Sequence, residues 1–251
     1  MNNPLLAKES QAYLFGNLLP HSISLGFTSR FDGNMSSVFG DKEGALDNRQ
    51  RFLQAGRIDP TRLVCAQQVH GDAVACVTAA DAGRGAQSHQ QAIPDTDALV
   101  TNTRRLPLGI FFADCLPVFL YDAQKQVIAL VHAGWRGTRM NITGKTVQAM
   151  MKQYGSVPDD IYAGFGPAIR GCCYEVGEEF TDRFRHGLVR RDNRLYLDLV
   201  RINTEQLRRR DVKQANIFDC SICTFCGNEE HFSFRREGAS CGRSMAVLMI
   251  R

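Results

Sequence analysis

Apolar and polar residues alternate along this chain in short blocks, and their spacing switches repeatedly between that of strands and that of helices. Residues 23–28 form an apolar run that closes on a loop, 29–37, rich in Gly, Asn and Ser, which predicts a strand followed by a site-lining connection. Between residues 42 and 56, Ala45, Leu46, Phe52, Leu53 and Ala55 stand among charges. This predicts a one-sided helix that ends at Gly56 and carries Asn48 and Arg49. Two β-rich stretches follow, 63–70 and 73–78, joined as a hairpin at Gly71-Asp72, which puts His70 at a strand end beside a tight turn. Residues 80–96, polar and rich in Gly and Gln, predict a surface loop over a site.

Three runs dense in Val, Ile, Leu and Phe come next, at 108–112, 117–121 and 127–132, with the spacing of strands buried on both faces. Ala113-Asp114-Cys115 interrupts the first pair, and Ala133-Gly134-Trp135-Arg136-Gly137 leads from the third into a helix predicted over 141–154. A strand is predicted at 161–165, helices at 178–186 and 197–210, and strands at 217–220 and 245–250. Helices and strands alternate irregularly, with no internal repeat and no linker. The expected fold is therefore one mixed α/β sandwich over residues 1–251 rather than a regular doubly wound sheet.

Composition leaves that reading intact. With 44% apolar and 22% charged residues, the chain has the ordinary globular mix and enough length to close a core without staples. The net charge of +4 is scattered, and Arg190-Arg191 and Arg208-Arg209-Arg210 are short enough to be solvated faces. The balance suits an anionic small molecule such as phosphate and gives no case for nucleic acid. The first twenty residues lack a basic segment leading into a long apolar run, and no stretch reaches the length of a membrane span. A cytoplasmic protein with no membrane partner is expected. Nine cysteines, an odd number in a reducing context, are expected to be mostly free thiols. No feature fixes the oligomeric state; a monomer is expected.

His70, Cys115 and His132 each close a β-like run beside Gly, Asp or Pro, where a side chain can point into a cleft. Imidazole and thiolate are preferred zinc ligands, and three protein ligands with an open fourth position make the catalytic form of a zinc site. On residue types alone, three separately packed side chains are the plainer reading. The same residues also fit a cysteine nucleophile, Cys115, with His132 as its base and Asp114 or another carboxylate orienting the imidazole. A lowered thiol pKa serves either chemistry. Cys220, Cys223 and Cys226 have the C-x2-C-x2-C spacing of a ligand set, yet only Cys241 and His231 offer a fourth ligand, so packing as small hydrophobes is expected. Cys172 and Cys173 are adjacent, their side chains should diverge, and no joint role is expected. Arg136, Arg243, Arg49 and Arg30 stand in loop or capping contexts where a guanidinium could grip two phosphate oxygens, although each taken singly fits a surface ion pair. Trp135, the only tryptophan, could stack on a base or simply pack. Glu175 and Asp114 are the carboxylates nominated for proton transfer.

Seven motifs then fall in order: Gln68-Val69-His70-Gly71, Asp97-Ala98-Leu99-Val100-Thr101, Ala113-Asp114-Cys115-Leu116-Pro117, His132-Ala133-Gly134-Trp135-Arg136-Gly137, Gly166-Pro167, Tyr174-Glu175-Val176 and Phe232-Ser233-Phe234-Arg235-Arg236. Together they resemble the bacterial laccase-domain family, also called the peptidoglycan editing factor or YfiH-type family, from Gly26 to the C-terminus. The resemblance implies zinc on His70, Cys115 and His132, and a mixed α/β fold shared with some cysteine-dependent deamidases. It also implies purine nucleoside phosphorylase activity with adenosine deaminase and methylthioadenosine phosphorylase activity, so purine nucleosides and phosphate are the expected partners. Members are described, too, as multicopper polyphenol oxidases and as correcting misincorporated amino acids in peptidoglycan precursors. Two loops depart from the family pattern: the N-terminal motif is shortened between Ser37 and Gly40, and Cys241-Gly242-Arg243 stands in place of Thr-Gly-Arg.

Copper is the weaker metal here, because a multicopper centre needs many histidines and this chain has six, dispersed. Deamination asks for an activated water and a carboxylate to move protons, the part given to Glu175 or Asp114. Phosphorolysis asks for phosphate held near the anomeric carbon, the part given to Arg136, Arg243 or Arg49, and for a stabilised leaving base. A zinc-dependent nucleoside phosphorylase and deaminase is therefore expected first. A cysteine-type amide hydrolase, including the cell-wall precursor role, comes second, and a binding module with a structural metal third.

Overall fold

The strands that read as buried on both faces do lie at the centre of the molecule, between two apolar layers. The computed structural model describes Pro20 and residues 22–227 and 230–251, so the reading of the first twenty residues as lacking a leader falls almost wholly outside the described residues. In chain order the strands are β1 (Ile23–Phe27), β2 (Val64–Cys65), β3 (Val74–Cys76), β4 (Ala98–Thr101), β5 (Leu108–Phe112), β6 (Leu116–Asp122), β7 (Val127–Ala133), β8 (Ile161–Phe165), β9 (Glu175–Val176), β10 (Leu188–Arg191), β11 (Arg194–Leu197), β12 (Ile217–Asp219) and β13 (Ser244–Ile250). The α-helices are α1 (Ala45–Ala55), α2 (Trp135–Arg139), α3 (Ile142–Tyr154), α4 (Leu199–Arg208) and α5 (Phe234–Glu237).

A four-stranded sheet, β1-β13-β5-β2, and a six-stranded sheet, β12-β8-β6-β7-β4-β3, stack face to face, with a small sheet, β10-β11-β9, at the side. Period-two alternation decides which residues meet. From β6 and β7, Phe119, Tyr121, Ile128 and Leu130 turn inward against Leu25, Leu108, Ile110 and Leu248 of the facing sheet. Their neighbours Val118, Leu120, Ala129 and Val131 turn outward onto Ile142, Val147 and Met150 of α3 and Ile202 and Leu207 of α4. On the far side, Met245, Val247 and Met249 of β13 bury Phe52 and Leu53 of α1. The result is a mixed α/β sandwich in the order helix, sheet, sheet, helices. Since every position of β6 and β7 is buried, truncating a leucine or isoleucine there, Leu130→Ala for example, should cost about 2–5 kcal/mol.

The predicted helices at 42–56, 141–154 and 197–210 appear as α1, α3 and α4, each trimmed at its ends. Asn141 and Gly155 flank α3 in the left-handed region, at φ 66° and 67°. Two expectations are corrected. The stretches 63–70 and 73–78 are no hairpin: β2 joins the four-stranded sheet and β3 the six-stranded one, each parallel to its neighbour. The chain crosses between sheets at Gly71-Asp72, where a hairpin needs both strands in one sheet. The segment 178–186 holds only a 3-10 turn, Glu178–Phe180, because Phe180 and Phe184 are drawn into the core while the chain turns toward β10. The β10–β11 hairpin went unread although its turn residues, Asp192-Asn193, both take positive φ (46° and 59°), as a two-residue hairpin loop requires.

Candidate active site and metal centre

Strand register brings the site together. Antiparallel pairing of β4 with β7 sets Ala98 against Val131, so Asp97 and His132, one residue beyond on each strand, also face each other, and His132 N–H donates to the Asp97 carbonyl at 2.8 Å. Pairing of β6 with β7 sets Leu116 against Ala133 and leaves Cys115 beside Gly134. His132 is on the inward-turning face of β7, at the open end of the space between the sheets, and is buried.

His70, Cys115 and His132 converge there, with one nitrogen or sulfur atom from each within 4.8 Å of the others. The two imidazoles meet edge to face, with centroids 4.9 Å apart. His132 Nδ1 lies 2.8 Å from Asp97 Oδ1. A carboxylate only accepts, so Nδ1 carries the proton and the Nε2 lone pair is left for the cluster. Asp97, fully buried, also accepts from the backbone N–H of His70 on Oδ1 (3.0 Å) and from those of Val69 (3.1 Å) and Gly71 (2.7 Å) on Oδ2. One carboxylate thus fixes both the ring of one histidine and the peptide of the other. His70 (φ 60°) and Asp114 (φ 84°) sit in the left-handed region, so backbone strain collects beside two of the three donors.

The glycines of the His-Ala-Gly-Trp-Arg-Gly segment have steric reasons. A Cβ on Gly134 would lie 3.0 Å from Cys115 Sγ and 3.1 Å from His70 Cδ2, and one on Gly137 would lie 2.6 Å from the Gly71 carbonyl. The first glycine makes room for the donors, and the second lets α2 close onto the loop that carries His70.

Electrostatics match the geometry. Burial alone would raise the Cys115 thiol, but His132 and His70 outweigh it and bring the thiol down to about 6. Burial likewise opposes charge on His132, yet the Cys115 sulfur and Asp97 push it up to about 10. Without metal, the pair is a thiolate and an imidazolium. Two imidazoles and a thiolate are the nitrogen-and-sulfur donor set that zinc accepts, and among the described residues three such donors meet here with no fourth protein ligand in the group.

The donors open into a cavity of about 510 Å³, within the range of small-molecule sites. Four arginines line it, each stacked on an aromatic ring: Arg49 on Phe111 (4.5 Å), Arg136 on Trp135 (4.8 Å), Arg235 on Tyr174 (5.2 Å) and Arg243 on Phe39 (4.6 Å). Stacking occupies a guanidinium face and leaves its N–H edges for an anion. Arg49 is buried and spends Nε and Nη1 on the carbonyls of Met35, Gly85 and Ala86. Arg243 spends Nη1 on those of Cys241 and Gly242. The Arg136 side chain is exposed and, among the described residues, makes no hydrogen bond or ion pair beyond its stacking on Trp135. The loop 80–96 does border the cavity, through Gly85, His89 and Ala92.

Other nominated residues lie differently. Arg30 is paired with Glu237 and stacked over Phe232, outside the cavity lining. Glu175 faces Arg194 at 3.2 Å and also lies outside that lining. Asp114 lines the cavity, but Oδ1 accepts from Thr224 Oγ1 (2.6 Å) and Oδ2 from the Arg235 N–H (2.7 Å), so both oxygens are engaged. Asp97 and Arg235 were not nominated, although both stand inside the quoted motifs; the strand that follows Asp97 and the short helix that holds Arg235 carry no reading in the sequence.

Comparison with known proteins is consistent along the chain. Residues 26–251 match the family described as "Multi-copper polyphenol oxidoreductase laccase". The chain is 34% identical over 242 residues to a Geobacillus stearothermophilus protein named "Purine nucleoside phosphorylase YlmD", covering 89% of this chain and 88% of that one. It is 32% identical over 221 residues to "Adenosine deaminase RL5" from an unknown prokaryotic organism, covering 84% of each. The crystal structure of the Bacillus licheniformis hypothetical protein YfiH superposes with a TM-score of 0.86 at 30% identity, over 91% of this chain and 93% of that one. No helix among the described residues is long and apolar enough to cross a membrane.

Proposed function

The chain belongs to this laccase-type, YfiH-related family, and on that premise we propose that it is a zinc-dependent purine nucleoside phosphorylase that also deaminates adenosine and accepts methylthioadenosine. The observation that supports this reading most is the convergence of His70, Cys115 and His132 on the floor of a cavity walled by aromatic rings and guanidinium groups. Zinc would be held by those three residues, and when bound it supplies Lewis acidity at that spot.

The remaining roles fall to the chain's own side chains. Phe111, Trp135 and Tyr174 offer flat surfaces for a purine, and Phe39 and Phe234 an apolar wall for a 5′ substituent such as methylthio. Arg136, whose guanidinium edges are unengaged, is proposed to hold phosphate, supported by the positive field of Arg49, Arg235 and Arg243. The Tyr174 hydroxyl is pushed up by burial and by the neighbouring Cys115 sulfur, against Arg235, and so stays protonated. It is a neutral donor suited to a leaving purine nitrogen, which gains electron density as the glycosidic bond breaks. Asp114, with both oxygens engaged, anchors the 224 turn and the start of α5 to the site and is assigned positioning rather than proton transfer. The expected setting is the cytoplasm, with nucleosides and phosphate as partners.

Purified protein incubated with adenosine, with and without phosphate, tests the proposal. Phosphate-dependent adenine with ribose 1-phosphate, together with inosine from deamination, should form with native protein and vanish in Cys115→Ala and in chelator-treated samples. Folded, zinc-loaded protein that turns over no purine nucleoside would sink it.

One observation favours a second reading. The series Cys115, His132, Asp97 is also the arrangement of a cysteine nucleophile, its base and the carboxylate that orients the base. As an amide hydrolase, including one acting on peptidoglycan precursors, the protein would work without metal and be inactivated by thiol alkylation.

A further inference from the structure

Outside the lining of the nucleoside cavity, Cys172, Cys173, Cys223 and Cys226 come together, one ligand atom from each lying within 4.8 Å of the others. The sequence reading had expected packing for these residues, with Cys220 in the set and the adjacent pair Cys172-Cys173 diverging. Instead, Cys220 is buried between the sheets against Arg170, and the adjacent pair supplies two of the four sulfurs. They reach one centre because residues 170–174 curl tightly, the N–H groups of Cys173 and Tyr174 both donating to the Arg170 carbonyl at 2.8 Å. All four cysteines are free, and Cys172 and Cys226 are 3.8 Å apart, sulfur to sulfur, far beyond a disulfide bond of roughly 2 Å. A tetrahedral ion with metal–sulfur bonds of about 2.3 Å sets its sulfur–sulfur edges at about 3.8 Å. Four sulfurs this close surround a single ion; a multi-iron cluster would spread them further.

We propose that Cys172, Cys173, Cys223 and Cys226 bind a second, structural zinc ion, separate from the three-ligand site and independent of the activity proposed above. The surroundings fit a thiolate centre. The backbone amides of Cys226, Arg170 and Phe225 donate to the Cys223 sulfur, in the manner of a Cys-x2-Cys knuckle. Four thiolates around a divalent ion leave two negative charges, and Arg191 flanks them, donating to the carbonyls of Gly171 (3.0 Å) and Cys172 (2.9 Å); Arg170, already paired with Asp219 at 2.8 Å, donates to that of Ile222 (3.0 Å) and fixes the neighbouring turn. The four ligands close the coordination shell, so this ion has no open position and does no chemistry. It joins the turn that leads into Tyr174 to the turn that carries Thr224, the residue gripping Asp114. The staple thus sets one wall of the nucleoside cavity.

Elemental analysis of full-length protein, prepared reduced and without chelator, tests this directly. Cys226→Ser, at an exposed position, should contain one zinc per chain less than the wild type, whichever metal the other site holds. Cobalt-loaded Cys115→Ala, which keeps all four cluster cysteines, should show intense sulfur-to-metal charge transfer, and its zinc form a first coordination shell of four sulfurs by X-ray absorption. These two readouts do not depend on how well a cluster variant folds. Equal zinc content in wild type and Cys226→Ser, absence of sulfur-to-metal charge transfer in cobalt-loaded Cys115→Ala, or a Cys172–Cys226 disulfide in freshly reduced protein would each overturn the assignment.

Discussion

Asp97→Asn isolates the contribution of a residue that stands behind the candidate donors and is not one of them. The carboxylate accepts four hydrogen bonds, two on each oxygen: His132 Nδ1 and His70 N on Oδ1, Val69 N and Gly71 N on Oδ2. An amide keeps one acceptor and turns the other into an NH2 group facing two donors, so either orientation loses two of the four bonds. At about 1.5–3 kcal/mol for each charge-assisted bond, the expected destabilisation is about 3–6 kcal/mol, which lowers Tm by roughly 10 °C in a chain of this size. If the amide turns its NH2 toward His132, the ring must reverse its tautomer and offer Nδ1 as acceptor, which moves a proton onto the nitrogen meant for metal. Metal affinity should then fall about 10–100-fold. Burial raises the Asp97 pKa, but the hydrogen bond and charge of His132 and the Gly71 and Val69 amides outweigh it, so the carboxyl lies below its ordinary value of 3.8. A depressed carboxyl contributes stability that is complete above the unfolded pKa and is lost as pH falls through the folded one. The wild-type advantage over Asp97→Asn should therefore shrink below about pH 4. Competition with a zinc chelator and denaturant melts of loaded and metal-free protein measure both effects. A variant with zinc affinity within twofold of wild type and an unchanged melt would refute the reasoning.

Four other outcomes follow from the same geometry. In metal-free protein, alkylation of Cys115 by iodoacetamide should reach half its maximal rate near pH 6, the thiolate being the form above that pH, and zinc should protect it; a midpoint near 9 contradicts the His132 pairing. Gly134→Ala places a methyl group against Cys115 and His70, so zinc affinity should drop at least tenfold, read by chelator competition, while Tm moves by only a few degrees. Arg136→Ala should raise KM for phosphate about tenfold in the phosphorolysis assay with little change in Tm, since the side chain is exposed and its one described partner is the Trp135 ring. Arg49→Ala should instead lower stability by about 2–4 kcal/mol in a denaturant melt, because it strands the carbonyls of Met35, Gly85 and Ala86 in a buried setting.

How much of this was legible beforehand depended on whether the signal was local. The buried strands, α1, α3 and α4 announce themselves by spacing, since the periodicity of a strand or helix lies within a few residues. The three residues of the candidate metal centre were legible singly, because His70, Cys115 and His132 each end an apolar run, but nothing in their separations of 45 and 17 residues says that they meet. Sheet pairing settles that: the β4–β7 register places Asp97 across from His132, and the β6–β7 register places Cys115 beside Gly134. Register is the least local property of a chain, and Asp97 was passed over for that reason; in sequence it is an ordinary polar residue before a strand. The cysteine cluster failed in the opposite way. Cys220, Cys223 and Cys226 share a spacing that invites grouping, yet Cys220 directly follows β12 and turns into the core, while Cys223 and Cys226 face a turn fifty residues earlier in the chain. Spacing within one segment finds half of a ligand set only when the backbone between its members turns as a unit. The turn from Cys223 to Cys226, closed by the Gly227 N–H on the Cys223 carbonyl at 2.9 Å, does so; the step from Cys220 to Cys223 leaves a strand and does not.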